Sequence, residues 1–121
     1  MTLFEECIAV LQKYSIIEDS NLKNKILSNL NFTFYGKLDF STYADCHKVS
    51  LNKIRLLPSE REYYVVWNDC TVPIIKCNIT ELLNNIDDVL AVSFDTWLIS
   101  VDMKQIIEFY HEGDVNLYNI L

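Results

Sequence analysis

The strongest constraint on the fold lies at the end of the chain. Thr96–Val101, Gln105–His111 and Val115–Ile120 are extended stretches rich in β-branched and aromatic residues, joined by short turns. They predict a β meander. His111-Glu112-Gly113-Asp114 makes its second turn, where Gly113 is free to take positive φ. A chain ending this way must build an antiparallel sheet and cover it. Upstream, Tyr63–Trp67 is β-branched and aromatic, Asn68-Asp69 turns, and Val72–Lys76 resumes an extended path. This predicts a hairpin, with Pro73 at an edge or entry position.

The cover comes from helical patterns. Thr2-Leu3-Phe4-Glu5 is a capping box, and Leu3, Cys7, Leu11 and Tyr14 fall on one stripe behind it. The expected helix has about three turns. A second helix is expected from Ser20 to about Leu30, capped by Asp19 or Ser20. Asn78-Ile79-Thr80-Glu81 opens a third, with Ile79, Leu82, Leu83 and Ile86 inward, and Asp87-Asp88 start one further turn through Val92. Phe32, Phe34, Leu38 and Phe40 alternate with Gly36 in register, predicting a strand or two short ones bent at Gly36. Residues 41–61 are the least readable; Val49, Ile54 and Leu57 suggest a short helix ending before Pro58. The expected fold is α+β: an antiparallel sheet with a C-terminal β meander and helices packed on one face, in a single domain over residues 1–121.

Composition supports a packed core. Half of the 121 residues are apolar and 12% are aromatic. The longest apolar runs, Cys7–Leu11 and Tyr63–Trp67, are too short for a bilayer, which needs roughly 20 residues. Glu5 and Glu6 leave no basic segment for a signal peptide, so no membrane is expected as a partner. Cys7, Cys46, Cys70 and Cys77 are therefore expected as reduced thiols in a cytoplasmic compartment.

The net charge of −7 is unevenly placed. Acids and bases balance over residues 1–76, whereas residues 77–121 set Glu81, Asp87, Asp88, Asp95, Asp102, Glu108, Glu112 and Asp114 against Lys104 alone. Such a field repels nucleic acid and anionic lipid and attracts cationic surfaces. The plainer reading is a solubility device, which many small acidic domains have.

Sites of chemistry are sparse. No Cys-x-x-Cys or paired His spacing suits zinc, and the carboxylates lack a calcium-loop pattern. Neither a metal nor a cofactor is expected. Gly36 and Gly113 alone build no phosphate cradle. Asp45-Cys46-His47 offers a Cys/His pair, but a dyad is assembled in space and adjacency is weak support, so no catalytic residue is assigned. Phosphate contacts need Lys or Arg, so the strand aromatics read as core rather than a nucleic-acid platform. Trp67 reads as core; Trp97 suits core or an interface anchor.

Several segments carry a family likeness. They are Val65-Val66-Trp67-Asn68-Asp69, Pro73-Ile74-Ile75-Lys76-Cys77, the run from Asn85 through Asp87-Asp88 to Trp97, and Ile107-Glu108-Phe109-Tyr110-His111-Glu112-Gly113. Over roughly the last half of the chain, these segments resemble the immunity proteins of bacterial contact-dependent growth inhibition, within the wider polymorphic-toxin immunity proteins. Gly36-Lys37-Leu38-Asp39-Phe40 adds a compatible pattern. The resemblance implies a non-enzymatic cytoplasmic protein. It would bind the C-terminal toxin domain of a delivered effector, often a basic nuclease, at the active site or an exosite, without a cofactor. It transfers no contact residues. Charge clustering supplies them: Asp69, Asp87, Asp88, Asp95, Glu108, Glu112 and Asp114 around Tyr110 and Tyr118. The alternative is an acidic nucleic-acid mimic or regulatory adaptor occupying a nucleic-acid-binding protein with the same face.

Overall fold

A computed structural model describes residues 1–33 and 35–120. Its centre is one antiparallel sheet of seven strands in the order β1-β4-β3-β5-β6-β7-β2. In chain order these are β1 (Tyr14–Ile16), β2 (Asp45–Lys48), β3 (Glu62–Trp67), β4 (Ile75–Asn78), β5 (Thr96–Ser100), β6 (Gln105–Phe109) and β7 (Val115–Asn119). The helices are α1 (Leu3–Val10), α2 (Ser20–Ser28), α3 (Leu51–Ile54), α4 (Ile79–Asn84) and α5 (Ile86–Leu90). The α+β class, the β3–β4 hairpin and the β5-β6-β7 meander are as expected.

Both faces of the sheet are covered. Tyr63, Val65, Trp67, Cys77, Leu98, Ile107 and Phe109 face the layer formed by α1, α3, α4 and α5. Tyr64, Val66, Trp97, Ile99, Ile106 and Tyr118 face the other way. Helices are not confined to one face: α2 and the segment after it cover the second, through Ile26, Leu30, Leu38 and Tyr43. Tyr43 fixes that segment, its hydroxyl donating to the Asn29 carbonyl and accepting the Asn31 amide, each at 2.9 Å. Strand β3 is buried on both faces from Tyr63 to Trp67, hence its unbroken apolar run.

Local chemistry explains where the elements stop. The Thr2 capping box forms: its hydroxyl accepts the Glu5 amide at 3.1 Å, and Glu5 accepts the Thr2 amide at 3.0 Å. The helix then ends sooner than its stripe suggests. Leu11 is extended, and the Glu81 carboxylate accepts the amides of Gln12 and Lys13. This pins the chain beside β4, so Tyr14 starts a strand rather than a third helical turn. The alternation expected over 32–40 yields only an isolated bridge between Phe32 and Leu38, then a 3-10 turn over Phe40–Thr42. Phe34 of that pattern lies outside the described residues.

The thiols are unpaired. Burial pushes Cys7 up to about 11 and Cys77 up to about 12, helped by the charges of Asp88 and Glu81 respectively. At pH 8 roughly one Cys7 thiol in a thousand is then thiolate, whereas Cys70 is exposed. Iodoacetamide on the native protein should label Cys70 first and spare Cys7 and Cys77 until denaturant is added. Peptide mass mapping checks this; native labelling of Cys77 at the Cys70 rate would refute the packing.

Candidate partner-binding surface

Antiparallel pairing gathers three connections at one end of the sheet. The end of β3, the start of β5, the end of β6 and the start of β7 share that edge. Residues 68–74, 91–95 and 110–114 therefore meet there. They are tied to each other as well as to the strands. The Asn68 amide donates to the Asp95 carbonyl and the Ser93 hydroxyl, both at 3.1 Å. Ser93 Oγ donates to the Asp95 carbonyl at 2.7 Å. Asp95 Oδ1 accepts the His111 amide at 2.7 Å and lies 3.0 Å from His111 Nδ1. Gly113, at φ +96°, closes the last turn with its amide on the Tyr110 carbonyl.

Burial divides the acidic and aromatic residues expected to meet a partner. Asp69, Asp87, Asp88 and Glu112 are exposed, whereas Tyr110 and Asp114 are half-buried. The structure corrects the other three, because Asp95 is 4% exposed, Glu108 0% and Tyr118 1%. Their polar atoms are spent inside. Asp95 braces the rim as described above. Glu108 Oε2 accepts the Leu38 amide at 2.9 Å and Trp97 Nε1 at 3.0 Å. Its Oε1 accepts Asn116 Nδ2 at 3.2 Å and the Tyr118 hydroxyl at 2.9 Å. Burial and the Glu108 charge push the Tyr118 hydroxyl far above its ordinary value, keeping it a donor. Trp97 is accordingly core, with its ring edge-on to Phe32.

Asp114 is compensated rather than buried. Lys48 Nζ lies 2.9 Å and Lys37 Nζ 3.2 Å from its carboxylate, and these two bonds hold its carboxyl below the usual range. Lys37 also sits over the Tyr110 ring at 5.3 Å. The outward field therefore comes from elsewhere. No Lys or Arg occurs in residues 1–12 or 77–103. These stretches supply α1, α4 and α5, and α1 packs on α5. Glu6, Asp87 and Asp88 are exposed on this layer, with Asp69 and Glu112 exposed at the rim.

Sequence reasoning missed Phe94 and Leu3. Phe94 is 85% exposed on the rim and Leu3 is 52% exposed at the start of α1. Nothing in the local pattern marks Phe94, since a single aromatic before a strand normally turns inward.

The cysteine–histidine pair does not converge. Residues 45 and 47 share one side of β2, and His47 Nε2 contacts the Asp45 carboxylate. The Cys46 thiol is pushed up, chiefly by burial, which opposes the thiolate a nucleophile needs. Among the described residues no group of three or more His, Cys, Asp or Glu is placed to hold a metal. No helix among them is long and apolar enough to cross a membrane.

Over residues 1–118 the chain matches the sequence model of a family described as CdiI immunity protein, EcoliA0-like. A search of curated proteins finds no match.

Proposed function

Since the chain belongs to the CdiI immunity protein family and so neutralises a cognate toxin, we propose that this toxin is a basic nuclease, bound through the acidic α1–α5 layer and rim. The observation that carries the reading is the exposure of Asp69, Asp87, Asp88 and Glu112 on surfaces built largely from stretches without Lys or Arg. A nuclease must attract phosphate, so its surface is cationic. An opposed acidic face raises the association rate and disfavours acidic partners. Its target is intracellular nucleic acid, which puts the neutralising step in the cytoplasm.

Neutralisation by occupation requires a complex, not a reaction, and no cofactor enters the proposal. The test is co-expression with the toxin domain encoded immediately upstream. A stable one-to-one complex and restored growth are expected, and the toxin alone should degrade RNA or DNA that survives when this chain is present. A folded chain that neither binds nor protects would overturn the binding reading. A bound toxin that is acidic, or cleaves no nucleic acid, would overturn the nuclease assignment and leave family membership intact.

A further inference from the structure

Two apolar grooves among the described residues differ in the cations that line them: a lysine lines the first, and no Lys or Arg lines the second. One lies between α2 and the β3–β4 connection, about 520 Å³, with Leu27 and Phe32 at its edge and both Lys23 and Asp69 in its lining; the shared Asp69 is there offset by the lysine. The other, about 640 Å³, lies between the N-terminus of α1 and the rim. Leu3, Leu90, Val92 and Phe94 form its apolar part, and Asp69 and His111 its polar part. We propose that this second groove seats a segment of the cognate toxin in which Lys or Arg flanks an apolar side chain. The proposal rests on the toxin-binding reading above and adds where the partner sits.

Three observations converge on it. First, Phe94, 85% exposed, shares this groove with the exposed Leu3 and the half-buried Leu90 and Val92, so the apolar surface is contiguous rather than one stray side chain. Second, its loop is already braced. Ser93 and Asp95 on either side are tied to Asn68 and His111, and the Phe94 ring stands 6.1 Å from the His111 ring. A loop held this way costs little ordering on binding. Third, the surroundings are acidic. Both bonds from Thr71 that brace Asp69 fall on Oδ1, and Oδ2 accepts none among the described residues. Asp87 and Asp88 are exposed on α5, whose last residue, Leu90, lines the groove, and Glu112 follows His111. An aromatic anchor with Asp69 in the same groove and exposed acids on the flanking elements suits a cationic segment with an apolar tip.

The experiment measures affinity for the upstream-encoded toxin domain by calorimetry. The wild-type chain, Phe94→Ala, Leu3→Ala, Asp69→Lys and, in the other groove, Leu27→Ala are compared. Phe94→Ala is expected to weaken binding roughly tenfold or more, Asp69→Lys to weaken it too, and Leu27→Ala to leave it unchanged. Phe94 and Leu3 are exposed, so both variants should keep the wild-type melting temperature. Hydrogen exchange on the wild-type complex reads the same point without substitution, and should slow at residues 2–4 and 91–95. If wild-type binds, but Phe94→Ala and Leu3→Ala bind equally well and exchange at those segments is unchanged, the groove assignment is overturned alone. If the wild-type chain captures no toxin, the binding reading itself falls. A chain that dimerises until Phe94 is replaced would make a second copy the occupant and overturn the toxin segment.

Discussion

Replacing Glu108 with alanine is expected to remove about 3–5 kcal/mol of folding stability, a large part of what a domain this size possesses. The carboxylate is wholly buried and receives four hydrogen bonds, two on each oxygen, from Leu38, Trp97, Asn116 and Tyr118. Truncation orphans all four donors, and each unsatisfied buried donor costs about 1–3 kcal/mol. Relief of the carboxylate's own desolvation returns part of that sum. Glu108→Gln should cost less, about 1–2 kcal/mol. Its amide nitrogen can face Asn116 and Tyr118, where the Asn116 amide can turn and the tyrosine hydroxyl can accept. The Leu38 and Trp97 donors would keep an oxygen. Urea denaturation gives the ordering, alanine well below glutamine and glutamine below wild-type. Hydrogen exchange at the Leu38 amide gives the local cause, because that bond ties the segment after α2 to the sheet. Equal stability of alanine and wild-type would show that the network holds nothing.

This carboxylate also marks the limit of what the sequence discloses. Alternation puts Glu108 on the same face as Ile106 and Tyr110, but not whether that face is wet. The answer depends on residues 29–33 and 35–43, which are held by Tyr43 and Glu108 rather than by any helical or strand period. The meander was legible because β5, β6 and β7 are adjacent in sequence and space, with Gly113 at a turn. The two edge strands were not. Tyr14–Ile16 is exposed throughout and Asp45–Lys48 is half-buried to exposed, so neither shows a buried–exposed alternation. The early end of α1 was equally hidden, since Glu81 terminates it from far along the chain. At the surface, charge clustering found exposed Asp69, Asp87, Asp88 and Glu112. It took in Asp95, Glu108 and Tyr118 because composition counts a carboxylate or phenol without knowing what already holds it.

Reversing Asp87, Asp88 and Glu112 to lysine together should slow toxin association by about 100-fold at low ionic strength. The three changes move the formal charge from −7 to −1 and convert the exposed acids of α5 and the rim into repulsive groups. Long-range attraction acts before contact, so the loss should fall on the association rate, with dissociation changing far less. It should also fade with salt, since at 1 M the screening length is about 3 Å. Stopped-flow binding across a salt series measures both features, and an association rate unchanged at low salt would remove these acids from the recognition step. Asp95→Lys should behave differently. It would place an ammonium where only 4% of the residue is exposed and leave the His111 amide without its acceptor. Its effect should appear as a lower melting temperature and a loosened Phe94 loop, hence as faster dissociation, whatever the salt. Steering by exposed carboxylates and holding by a braced aromatic are thus separable in one set of rate constants. Acids that only steer would give an effect that fades with salt and acids that only brace one that does not, while surface charge that served solubility alone would leave the association rate unchanged.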